Sequence, residues 1–111
     1  MQRIGAFLSM ALLFGCTSYR LDVGTVCDSS QMAFTEDPEM QKSSGDRHLE
    51  FYLEWAERNV HTPEGKLLVG SIRTQSEPYD VRARALRQAA TRVGRRSCPL
   101  ADWMDQSLRS R

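Results

Sequence analysis

The clearest periodic stretch lies between Asp46 and Val60. There Leu49, Tyr52, Leu53, Ala56 and Val60 recur at helical spacing, while Glu50, Glu54, Glu57 and Arg58 fill the opposite side. One apolar stripe with a charged back predicts a helix with one face in a core. Asp46 stands where a carboxylate caps the first turn. Phe51 and Trp55, one turn apart, fall off the main stripe and either widen the buried face or form a second, partly exposed one. Next, Thr62-Pro63-Glu64 supplies a hydroxyl cap, a proline where no N–H is missed, and an acid near the positive end of a helix. That helix carries Leu67, Leu68 and Ile72 and is expected to end near 73–75. Gly65 and Gly70 weaken it by roughly 1 kcal/mol each relative to alanine, unless they allow close packing.

Ser76-Glu77-Pro78-Tyr79-Asp80 opens a further helix, with Tyr79, Ala83, Leu86, Ala90 and Val93 as its stripe and Gly94 as its stop. Arg82, Arg84, Arg87 and Arg92 fall outside that stripe. Ser97-Cys98-Pro99 begins a last helix with Leu100, Trp103, Met104 and Leu108, and residues 109–111 are expected to fray. Upstream, Val26, Ser30, Ala33 and Phe34 suggest a short helix over 26–36, ended by Asp37-Pro38 because the residue before proline leaves the helical region. Residues 38–46 read as a polar loop, and 16–25 as a tether. No segment alternates as a strand does and none repeats. The pattern predicts an all-α domain over 26–111, a small bundle of four or five short helices.

The first sixteen residues differ in kind. Arg3 precedes an uncharged run from Ile4 to Gly15, and Cys16 follows. A charged head, an apolar middle and a small residue before a cut are the layout of an export signal over 1–15. The run is well short of the roughly 20 residues that span a bilayer. Its ending, Leu13-Phe14-Gly15-Cys16, resembles the lipobox of bacterial lipoproteins, with Phe14 bulkier than the usual residue at its place. The resemblance implies cleavage after Gly15 and acylation of Cys16, and several acyl chains at one residue suffice for stable anchoring. In lipoproteins of double-membrane bacteria an Asp after the cysteine favours inner-membrane retention. Thr17 therefore favours the outer membrane, facing the periplasm.

With Cys16 assigned to lipid, Cys27 and Cys98 remain as an even pair in an oxidising compartment, which predicts a structural disulfide. Closing so long a loop stabilises a domain by roughly 4 kcal/mol in the chain-entropy model. Removing 1–15 also removes Arg3 and leaves 14 basic against 14 acidic side chains. A neutral exported body argues against nucleic acid as a partner. The charges are segregated, with carboxylates concentrated in 21–64 and arginines in 65–111. Either the two halves neutralise each other across the fold, or they present a two-signed surface.

Little points to catalysis. His48 and His61 lack metal-ligand spacing with any other donor, and no phosphate loop or nucleophile elbow is present. No metal, cofactor or catalytic residue is assigned. Pro99 places Cys98 at a helix start, where a free thiol is acidified, but no second cysteine completes a CxxC motif. Arg82, Arg84, Arg87, Arg92, Arg95 and Arg96 spread around a helix rather than along one face. Phe51 and Trp55, flanked by His48, are the candidate partner surface, since aromatics are enriched at binding hot spots; core packing is the competing reading.

Beyond the leader, the chain resembles small exported bacterial proteins with an early cysteine (Cys27), a central turn like Arg58–Lys66 and a late Cys98–Asp102 segment. No activity comes with that likeness. The expectation is a non-enzymatic, membrane-anchored lipoprotein with a protein-interaction or envelope-assembly role. The alternative is an exported thiol-redox or small apolar-ligand-binding protein.

Overall fold

Asp37-Pro38 ends the first helix where the sequence predicts, but that helix begins far upstream of Val26. The computed structural model describes the backbone of residues 2–42, 45–74 and 77–109, and the side chains of 18–42, 47–74 and 77–107. Among these residues there are five α-helices and no strand: α1 (Gln2–Glu36), α2 (Gly45–Asn59), α3 (Pro63–Arg73), α4 (Tyr79–Arg92) and α5 (Pro99–Arg109), with a short 3-10 turn at Pro38–Lys42 after α1. The fold is the expected all-α bundle. The side chains of 1–15 and of Cys16, Asp46, Ser76 and Leu108 lie outside the described residues, and with them the leader, the lipid acceptor and the Asp46 cap.

The stretch 16–25, read as a tether, is corrected to helix. Within it Asp22 and Val23 are buried. Val23, Val26 and Cys27 sit at helical spacing and extend the apolar stripe one turn earlier, through Gly24 and Thr25, which disguise it in the sequence. The 38–46 segment, read as a loop, holds the 3-10 turn, whose residues are exposed or half-buried. No helix among the described residues is long and apolar enough to cross a membrane.

α1 is the hub and packs against all four other helices. The α2 stripe enters the core as expected, with Leu49, Tyr52, Leu53, Ala56 and Val60 buried. On α3 the phase differs: Gly65, Val69 and Ile72 face inward, Leu68 is half-buried and Leu67 is 73% exposed. On α4 the core face is Ala83, Leu86, Ala89 and Ala90, joined by Arg82, which the sequence reading put outside. Its guanidinium stays buried because Nη1 donates to the Ile72 carbonyl at the end of α3 (2.8 Å) and its plane lies 4.8 Å from the Tyr79 ring centroid. A cation at a helix C-terminus and over an aromatic face is favourable on both counts.

Cys27 and Cys98 are disulfide-bonded, with Cα atoms 4.6 Å apart, so α1 is joined to the start of α5. The turn before Cys98 is built by Gly94. It takes φ +81°, the Gly94 amide donates to Thr91 (3.0 Å), and the Arg95 amide reaches back to Ala90 (2.8 Å). This Schellman closure satisfies the last carbonyls of α4 and needs a residue at home in the left-handed region.

Candidate functional site

A second contact between α1 and the rest of the fold centres on Asp22, which is 1% exposed. Its carboxylate accepts from the His61 amide (3.0 and 3.1 Å), the Thr62 amide (2.7 Å) and the Thr62 hydroxyl (2.6 Å). Thr62 Oγ1 in turn accepts from the Gly65 amide (2.9 Å), as the predicted N-cap of α3 should. One buried anion thus completes the helix start and ties α1 to it. Gly65 is what lets α1 come so close, since a Cβ there would lie 2.9 Å from Asp22 Cβ.

Asp28, one residue after the disulfide on α1, pairs with Arg95, whose Nε also donates to the Ser97 carbonyl (2.8 Å). Arg95 therefore lies against α1 beside Gly24, with Nη1 3.1 Å from where a Gly24 Cβ would stand. Around this strap is an open recess of about 420 Å³, bordered by Arg20, Leu21, Met32 and Trp55. Leu21 is 67% and Met32 46% exposed, two of the four large apolar side chains exposed among the described residues. Trp55 is buried, yet its indole Nε1–H has no acceptor among the described residues.

The structure separates the three candidate surface residues. His48 is half-buried; Nε2 donates to the Met40 carbonyl (2.9 Å) and the ring meets Phe34 edge-on at 5.3 Å. That hydrogen bond assigns the proton to Nε2, because a carbonyl only accepts. Phe51 is half-buried against Phe34 (5.7 Å) and Tyr52 (6.2 Å). It also borders a recess of about 340 Å³ shared with Glu36, Glu54, Arg47 and Arg58. Trp55 belongs to the other recess. His48 and Phe51 thus share one aromatic cluster, while Trp55 serves a different surface.

Segregated charge is partly resolved within the molecule. Arg73 of α3 lies 3.2 Å from Glu50 and donates to Glu57 (2.8 Å) on α2, and Arg95 meets Asp28. Arg87 instead pairs within its own half, with Asp102 (2.8 Å) and Asp105 (2.5 Å) of α5. The hydrogen bonds to Glu57 and to Asp102 raise the Arg73 and Arg87 guanidiniums above their ordinary value. Burial pushes the Tyr52 hydroxyl up to about 12.

Sequence reasoning did not single out Asp22, took Arg95 only as one of a group of arginines, and named Trp55 as a surface candidate without its unpartnered donor. Only Trp55 carried a signal, as a large aromatic off its stripe. Asp22 and Arg95 act across 40 and 67 positions respectively, beyond the reach of local patterning. Among the described residues no three His, Cys, Asp or Glu side chains cluster as metal ligands would. No family model, curated protein or solved structure matches the chain.

Proposed function

We propose that the chain is an exported lipoprotein, cleaved after Gly15 and anchored through acylated Cys16, whose helical body binds another envelope protein. The observation that carries this reading is the order Arg3, apolar run, Gly15-Cys16 at the head of the chain. The body supports a binding role rather than a chemical one. It is a scaffold cross-linked by a disulfide and two buried or half-buried polar straps, with recesses bordered by aliphatic and aromatic side chains. The thiol-redox alternative is disfavoured because Cys27 is fully buried and Cys98 is 4% exposed, which bars an attacking thiolate. Thr17 after the acceptor favours the outer membrane.

The test is acyl labelling in growing bacteria, with fractionation of the envelope. The native chain is expected to incorporate labelled fatty acid and sediment with membranes. Cys16→Ser is expected to lose the label and, once the leader is cleaved by other means, to appear in the soluble periplasmic fraction. A Cys16→Ser chain that remains membrane-bound after leader removal overturns the anchor.

A further inference from the structure

We propose that the recess between α1 and Trp55 is a docking site for a short apolar peptide segment that carries a carboxylate. This deepens the interaction-module reading and does not depend on the lipid anchor. Three features of the recess define the occupant. First, Leu21 and Met32 on its rim are exposed, so aliphatic side chains would cover them; methionine adapts to varied shapes. Second, the recess holds Arg20, Arg95 and Asp28, a positive balance. Arg95 spends its Nη2 on Asp28 and its Nε on Ser97, while no ion pair holds Arg20 among the described residues. The complementary group is therefore an anion at the Arg20 rim.

Third, Trp55 borders the recess, and its buried indole Nε1–H has no acceptor among the described residues. Buried polar groups in native proteins are paired in the great majority of cases, so an orphan beside a recess points to a missing partner. A peptide carbonyl is the acceptor that an apolar segment brings with it. A bilayer surface offers anions and apolar chains as well, but a planar interface does not fill a concave recess of about 420 Å³. The peptide is the better fit. The site is also pre-organised, because α1 is fixed on both sides of it by the disulfide, the Asp28–Arg95 pair and the Asp22 junction.

The experiment uses residues 17–111 with the disulfide formed, a piece that contains every buried residue among those described, Asp22 to Met104. A random heptapeptide display library is selected against it. Enriched sequences are expected to combine aliphatic residues with Asp or Glu. Synthetic copies of the enriched peptides should move the Trp55 indole N–H resonance downfield and leave the Trp103 indole in place. Arg20→Glu and Leu21→Asp, both at exposed positions, should weaken binding about tenfold each with thermal unfolding unchanged. Substituting Asn or Gln for the peptide carboxylate should weaken the native protein and have little effect on Arg20→Glu.

Failure to enrich any sequence, enrichment of basic peptides, or binding insensitive to both variants overturns the proposal. So does a Trp55 shift produced by phosphatidylglycerol vesicles and not by any selected peptide, which would make the surface a membrane contact. Because the acyl acceptor Cys16 is absent from this piece, none of these outcomes bears on the anchor.

Discussion

Asp22→Ala removes one buried carboxylate from the junction of α1 with α3 and leaves three donors facing it without an acceptor, the amides of His61 and Thr62 and the Thr62 hydroxyl. Hydrogen bonds to a charged group contribute roughly 1.5–3 kcal/mol each. The three share one anion and are not additive, so the loss falls short of their sum, at about 3–5 kcal/mol. His61 is exposed, so water reaches part of the site and the lower end applies. The expected loss is about 3 kcal/mol out of a total of roughly 5–15, or a fall in Tm of about 12 °C or more. Asp22→Asn keeps the bulk but loses the charge and one acceptor, and should fall between. The glycine beneath provides an independent check. Gly65→Ala gains about 1 kcal/mol of helix propensity but drives a methyl to 2.9 Å from Asp22 Cβ and Cγ, so a net loss of about 1–2 kcal/mol is expected. Gly70→Ala, on the same helix with nothing within 4 Å, should stabilise by about 0.5–1 kcal/mol. Urea unfolding followed by far-UV circular dichroism, with the disulfide intact, measures all four. An Asp22→Ala cost below about 1 kcal/mol, or a Gly65→Ala gain equal to that of Gly70→Ala, refutes the junction.

Replacing Cys27 and Cys98 together with alanine should lower stability by roughly 4 kcal/mol, and native oxidised protein should resist mild reductant until it is unfolded; ready reduction in the folded state contradicts a purely structural bond. The Tyr52 contribution to stability should be flat up to about pH 10 and fall between pH 10 and 12, because the unfolded Tyr52 ionises at about 10 while the folded hydroxyl holds its proton to about 12. The folded state binds the extra proton in that window, so raising pH favours unfolding, by up to about 3 kcal/mol at its top; Tyr52→Phe should abolish that component, read by equilibrium unfolding at stepped pH. Arg82→Met should cost about 1–3 kcal/mol through the unpaired Ile72 carbonyl, whereas exposed Arg84→Met should stay within about 0.5 kcal/mol; equal effects would deny Arg82 its role at the end of α3.

Helix positions were legible wherever one stripe met one core. The α2 face, the Thr62 cap and the Asp37-Pro38 stop follow from local chemistry and hold in the fold. The Gly94 stop holds for the same reason. The phase of α3 was not legible because Leu67, Leu68, Val69 and Ile72 allow two faces, and only contact with α1 through Gly65 selects between them. The start of α1 was missed because Asp22 reads as solvent-facing until its donors, some forty positions away, are in place. Arg82 was misplaced for the same reason, its acceptor being the end of a different helix. At the recess the sequence supplied Trp55 but joined it to the wrong neighbours. Spacing along α2 groups it with Phe51 and His48, while the side of α1 that each meets divides them.

These long-range links concentrate on α1, and each uses a feature that looks dispensable locally. Gly94 reverses the chain after α4, so that Arg95 falls beside Gly24 and Cys98 falls on Cys27 within the same few residues. A residue with Cβ at position 94 would have to hold φ near +81° at a cost of about 1 kcal/mol or more, and any relaxation would move strap and disulfide together. Gly65 admits Asp22 from the opposite neighbour. α1 is therefore held at Asp22, Cys27 and Asp28, three points within two turns, by three chemically different bonds. The core beneath packs alanine and valine against Tyr52, Leu53, Ile72, Leu86 and Met104. Directional bonds and this packing together keep Leu21 and Met32 turned outward around Trp55. Held in that place, Leu21 and Met32 frame the recess at which the proposed peptide would dock.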